Sequence, residues 1–224
     1  MSLYLSRMAL SRNPSVAALN VLLVPGEEGA LRDAQHRLIW SAFAGNPEAK
    51  RDFLWRAEGR GAFLVQSRRP PSDSPFFGPV ETRDHAPDVR AGDRLAFLLR
   101  ANATKDLRGE KRQRVDVVMN MLHGLPQVER RVRRLDLAQE AGRGWLAGQG
   151  ARAGFEAERV EVQDYTTVTL PGYRGKRRGE PRFGILDFAG EITVTDPQAF
   201  LAKLAQGFGR AKAFGCGLML IRRA

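Results

Sequence analysis

Residues 196–223, DPQAFLAKLAQGFGRAKAFGCGLMLIRR, read helix, then glycines, then strand, and that order leaves few folds open. Asp196 is placed to cap the helix, Pro197 suits its first turn, and Gly207 ends it. A dinucleotide fingerprint needs the reverse arrangement, strand then glycines then helix, so that the pyrophosphate meets a helix N-terminus. Here a phosphate would face a helix C-terminus, whose dipole has the wrong sign. No G-x-x-x-x-G-K-[ST] occurs anywhere in the chain. The glycines are therefore expected to turn a helix tightly onto a strand with close backbone packing. Cys216, set among apolar neighbours, is expected as a small buried residue.

The rest of the chain supplies the elements that such an ending completes. Residues 3–10 alternate as a strand, and 31–43 carry Leu31, Ala34, Leu38, Ile39 and Ala42 at helical spacing. Residues 53–67 read as two strands around a turn at Glu58–Gly61. The Pro/Ser-rich stretch 68–79 reads as loop with a vestigial helix, and 80–89 as a last strand. The second half repeats the order: a strand at 93–104, a long basic irregular stretch, and a helix at 135–155. Strands at 159–170 and 182–195 follow, then the capped helix and a final strand. Two successive βαββαβ patterns predict an α+β protein of two tandem ferredoxin-like (RRM-like) domains, 1–89 and 92–224. The halves share a pattern and no detectable sequence identity.

Charge narrows the partner. Lys and Arg number 36 against 25 Asp and Glu, a net charge of +11. A globular chain this basic usually meets a polyanion. The cations cluster: five in KDLRGEKRQR (105–114), four in RRVRR (130–134) and five in YRGKRRGEPR (173–182). A merely solvated surface would intersperse acids. One cysteine excludes an internal disulfide framework and a cysteine-rich metal site, and His36, His85 and His123 lack metal-ligand spacing. No cofactor or metal is expected. No apolar run reaches membrane-spanning length and the N-terminus lacks a signal-peptide layout, so a soluble cytoplasmic protein without membrane association is expected.

Several pieces, taken in order, point to one family. They are LYLSR (3–7), HRLIW (36–40), RDFLWRAE (51–58), LVQS (64–67), LRANATK (99–105), KRQR (111–114), FAGEITVTDPQAF (188–200) and the terminal G-x-G-x-A-K-x-x-G-C-G-L (207–218). Together the chain resembles CasE, the type I-E CRISPR precursor-RNA endoribonuclease. The resemblance implies tandem ferredoxin-like domains, metal-independent cutting of CRISPR repeat RNA hairpins, and retention of the crRNA product among the other subunits of Cascade. A non-catalytic RNA-binding subunit on the same fold is the alternative, and a DNA-binding or scaffold protein is a third class that would need no 2′-OH.

The resemblance also places the chemistry. At 100° per residue His36 lies roughly 140° from Leu31, on the flank of the apolar stripe, with Asp33 and Trp40 one turn either side. Such a histidine is ordinarily solvated or structural, but the family's catalytic histidine falls at this helix position. Many relatives carry Tyr where this chain has Asp33. That carboxylate is expected either to orient the imidazole and raise its pKa, or to pair with Arg37. RNA brings its own nucleophile, and histidine suits either proton transfer because it titrates near neutrality. Lys111 or Arg112 is a candidate cation for the charge that develops on phosphorus. RNA binding is expected from Arg112, Arg114, Arg174, Lys176, Arg177, Arg178, Arg210 and Lys212, while RRVRR faces either another Cascade subunit or solvent.

Overall fold

A computed structural model of the chain describes residues 3–19, 25–45, 48, 50–107, 113–170 and 180–224. They divide into two units. The first is built on Met1–Pro87 and takes in Lys212–Gly215; the second holds Asp88–Val168, Arg182–Ala211 and Cys216–Ala224.

In the first unit β1 (Tyr4–Ala9), β2 (Phe53–Gly59), β3 (Ala62–Ser67) and β4 (Glu81–Asp84) form an antiparallel sheet in the order β2-β3-β1-β4. Tyr4 stands opposite Ser67 on one side and Asp84 on the other. A four-residue helix α1 (Pro14–Ala17) follows β1, capped by Asn13. Helix α2 (Glu28–Ser41) covers the sheet. It buries Leu38 and Ile39, and these join Met8, Phe43, Phe53, Trp55, Phe63 and Val65 in one core. Burying each such side chain is worth about 1.5–3 kcal/mol. Residues 68–80 hold no helix. Pro70, Pro71, Pro75 and Pro79 remove backbone donors, and the segment is held instead by Ser72 N–H to the Ala42 carbonyl at 2.8 Å and by a bridge between Leu10 and Phe77.

The second unit repeats the topology. Strands β5 (Arg94–Ala101), β8 (Phe155–Thr169), β9 (Arg182–Val194) and β10 (Met219–Arg223) lie in the order β10-β5-β9-β8. The protein is thus a tandem of ferredoxin-like sheets. The stretch expected to be irregular contains a hairpin, β6 (Thr104–Leu107) with β7 (Gln113–Asp116), then α3 (Val117–His123) and α4 (Gln127–Val132). Asp116 caps α3, accepting from the N–H groups of Val118 and Met119 at 2.9 and 3.0 Å. Helix α5 (Arg134–Ala153) stops at Gly154, whose left-handed φ of 69° turns the chain into β8; Phe155 is strand, not helix as its sequence pattern suggests. Helix α6 (Pro197–Gln206) carries the expected caps, Asp196 accepting from Ala199 N–H at 3.0 Å and Gly207 closing the end.

The glycine-rich segment turns α6 onto β10, as its order requires. Gly209 has φ 67°, and a Cβ there would lie 2.6 Å from the Asn102 carbonyl oxygen. Cys216 is fully buried and packs with Val168 and Ile185. Within the segment, Lys212–Phe214 form a 3-10 turn that belongs to the first unit. Among the described residues no helix is long and apolar enough to cross a membrane.

Candidate active site

Helix α2 sets the site. Leu38 and Ile39 point into the core, so His36 falls at the edge of the buried stripe, half-buried. Its ring lies 6.2 Å from that of Trp40, one turn on, and 6.0 Å from that of Phe53 at the start of β2. Trp40 and Phe53 contact each other at 5.4 Å and close an aromatic wall beside the imidazole. Arg32, on the same helix, pairs with Glu28 at 2.8 Å and donates to the Phe214 carbonyl at 3.2 Å. That bond ties α2 to the 3-10 turn carrying Lys212.

The residues before β2 bring a second charge to the histidine. Arg51 is half-buried, and its cation, together with burial, lowers the His36 pKa below 6.5; burial is the larger cause. Among the described residues, His36 Nε2 and Arg51 Nη1 are both buried and both without a hydrogen-bond partner. An orphaned buried polar group costs about 1–3 kcal/mol; Asp52 Oδ1 and Trp55 Nε1 are in the same state, and what distinguishes His36 and Arg51 is that the charge of one acts on the other. Nε2 is covered, and an incoming oxygen reaches it only when the ring turns or a neighbour moves aside. The next residue, Asp52, pairs with Arg69 at 3.0 Å, and Arg69 also donates to the Phe43 carbonyl at 2.6 Å. This brace holds the chain at Arg51.

Asp33 takes the second of its two expected roles: its carboxylate pairs with Arg37 at i+4. It still pulls the His36 pKa upward, but burial and Arg51 outweigh it, so the net shift is down and not up. Arg114 donates to both oxygens of Asp106 within the β6–β7 hairpin, at 2.6 and 3.0 Å. Arg210 is exposed in the second unit, whereas Lys212 sits in the turn packed against α2 and β2 in the first. Lys111, Arg112, Arg174, Lys176, Arg177 and Arg178 lie outside the described residues. Among the described residues no three His, Cys, Asp or Glu side chains cluster as metal ligands. Arg51 is the residue that sequence reasoning missed. Its signals were its place at the head of RDFLWRAE and its position, a cation at the mouth of the apolar strand FLW.

Two ferredoxin-like sheets in tandem define the class, a double RRM-like protein, and this one carries a net charge of +11. The chain belongs to the CRISPR associated protein family, whose model matches residues 3–223. It is similar to the CRISPR system Cascade subunit CasE of Escherichia coli K12, 27% identical over 191 residues that cover 82% of this chain and 88% of that one. It is also similar to the CRISPR-associated endoribonuclease Cse3 of Thermus thermophilus, 28% identical over 224 residues covering 90% and 97%. A solved structure of Cse3 bound to 19 nt RNA superposes with a TM-score of 0.70 at 23% identity, over 99% of this chain and 100% of that one. The resemblance to CasE read from the sequence is borne out.

Proposed function

We propose that this chain is an endoribonuclease that cuts CRISPR repeat RNA hairpins and keeps the crRNA product as a subunit of Cascade. The observation that carries the proposal is the pair of orphaned nitrogens, His36 Nε2 and Arg51 Nη1. RNA provides what both lack, a hydroxyl proton and a phosphate. In this reading residues 1–89 carry the cutting helix and 92–224 the RNA-holding loops. The names of its relatives, a Cascade subunit and an endoribonuclease, support it.

The reaction needs no water in its cutting step. His36, with its pKa held below 6.5, is neutral at pH 7 and takes the 2′-OH proton. The 2′-oxygen attacks the adjacent phosphorus, the bond from phosphorus to the 5′-oxygen breaks in line, and the 5′-oxygen leaves with a proton. The products are a 2′,3′-cyclic phosphate and a 5′-OH. Negative charge grows on the non-bridging oxygens, and Arg51, once its buried Nη1 is uncovered as Nε2 must be, is a donor for it, in addition to Lys111 or Arg112. Because the nucleophile is internal to the RNA, the step proceeds without a metal ion.

The test is a gel cleavage assay paired with a binding titration on the host repeat RNA. His36→Ala is expected to slow cleavage by about 10²–10⁴-fold while leaving affinity nearly intact. Wild-type cleavage should persist in EDTA and vanish when the nucleotide 5′ to the scissile phosphate is 2′-deoxy. Loss of affinity together with cleavage would make His36 structural. Cutting of the deoxy substrate would exclude the internal nucleophile.

A further inference from the structure

Helix α2 carries one more group on the face that presents His36. Trp40 lies one turn on, at i+4, which sets the indole beside the imidazole, 6.2 Å between ring centres at an interplanar angle of 50°. The chain has three tryptophans. Trp55 is fully buried and Trp145 is 8% exposed, each inside a core. Trp40 is half-buried, at the rim of the core that holds Trp55.

The indole is held from behind by a row of rings. It tilts against Phe53 at 5.4 Å, Phe53 stacks on Phe43 at 4.8 Å, and the Arg69 guanidinium lies 5.3 Å from the centre of the Phe43 ring. Arg69 is fixed in turn by the Asp52 carboxylate and the Phe43 carbonyl. Phe43 and Phe53 are buried, so of these three rings only Trp40 is appreciably exposed. An aromatic surface already fixed in this way loses little conformational freedom when a ligand covers it.

We infer that Trp40 is a stacking platform for a nucleobase, that of the nucleotide whose 2′-OH gives its proton to His36. An indole offers no charge to a phosphate, but every nucleobase has a π-face that stacks on an aromatic ring, whatever the sequence. The base and the 2′-hydroxyl stand on neighbouring carbons of one ribose. A hydroxyl brought to the imidazole therefore carries its own base toward a ring centred 6.2 Å away. Seating that base fixes the ribose, and with it the 2′-oxygen, before the proton is taken. The inference rests on the cutting of RNA at His36 proposed above, and it adds a contact to the base where Arg51 and the basic loops address phosphate.

The experiment titrates full-length protein with two repeat hairpins. In both, the nucleotide 5′ to the scissile phosphate is 2′-deoxy, so that no cutting intervenes, and in one of them it also lacks its base. Tryptophan emission should be quenched by the hairpin with the base and stay near its free level with the abasic one, since Trp55 and Trp145 are buried. Trp40→Phe should abolish the quench and keep most of the affinity. Trp40→Leu, which still packs on Phe53 but has no π-face, should weaken binding of the first hairpin roughly 5- to 150-fold. Its line of log K against log salt should shift without a change of slope, because no phosphate contact is lost. On the abasic hairpin Trp40→Leu should have no further effect. Equal quenching by the two hairpins, or a Trp40→Leu penalty that persists in full on the abasic one, would overturn the platform while cleavage that depends on His36 keeps the proposed function standing. A wild-type protein that neither binds nor cuts the all-ribose hairpin would overturn the proposed function and the platform together.

Discussion

At the scale of single residues the site turns on how His36 is kept neutral. Burial disfavours the imidazolium, and Arg51 adds a like charge that disfavours it further. Arg51→Gln removes that cation, so the His36 pKa should rise toward 6.5 and the acid limb of the kcat/KM profile should move to higher pH. On the proposed mechanism the same change removes a donor to the phosphorane and should slow single-turnover cleavage by about 10²-fold or more. Proton NMR of the imidazole against pH checks the first effect and rapid-quench kinetics the second. An acid limb that stays put would mean Arg51 does not act on His36 through charge. Stability follows by linkage. The folded pKa lies below the unfolded value, so protonation favours unfolding. This contribution is fully present above pH 6.5 and is lost as pH falls through the lowered folded value. Thermal midpoints measured across that window should drop more steeply for wild type than for His36→Ala.

At the scale of elements, helix α5 shows how small residues set packing distance. It carries Gly142, Gly144, Gly148 and Gly150, which by propensity alone should weaken it. Two of them are spacers. A Cβ at Gly142 would fall 2.8 Å from Val162 Cγ2 and 2.9 Å from the Phe188 ring, and one at Gly150 would fall 2.3 Å from the Phe155 carbonyl oxygen. The helix therefore lies close on its sheet, with Trp145 stacked on Phe188 at 5.9 Å. Gly144 has nothing within 4 Å. Gly144→Ala should accordingly stabilise the protein by about 0.5–1 kcal/mol, and Gly150→Ala should destabilise it by about 1–3 kcal/mol. Urea unfolding of the two variants decides this. Equal effects would mean the close approach does not limit packing.

At the scale of the whole molecule the excess of cations governs affinity. A chain of net charge +11 that releases counterions from RNA should bind with a strong dependence on salt. The sequence reading assigns part of that to Lys176, Arg177 and Arg178. Replacing all three with Ala should reduce the slope of log K against log salt by roughly 2–3. Parallel titrations would move the RNA contacts to KDLRGEKRQR or to Arg210 and Lys212. The cations are not uniformly free: Arg100 pairs with Asp187 and Arg94 with Glu158 and Glu191, so these two are already balanced within the fold.

Local information in the chain determined the architecture. Apolar spacing marked the strands and helices, Asp196, Pro197 and Gly207 marked the ends of one helix, and the order of helix, glycines and strand excluded a nucleotide loop. The flank position of His36 was legible because a helix fixes the direction of every side chain from its spacing alone. Neighbours at i+4 were legible for the same reason, and the Asp33–Arg37 pair was one of two readings open there. What surrounds His36 was not. Phe53 reaches it from β2 and Arg51 from just before that strand, whose place in the sheet depends on pairing with β3, and the sign of the pKa shift depends on the burial this produces. The β6–β7 hairpin was hidden because basic residues mask its alternation and each strand is only four residues long. Spacing reports which face of its own element a residue occupies, whereas charge and desolvation at a site come from elements that meet only when the sheets close.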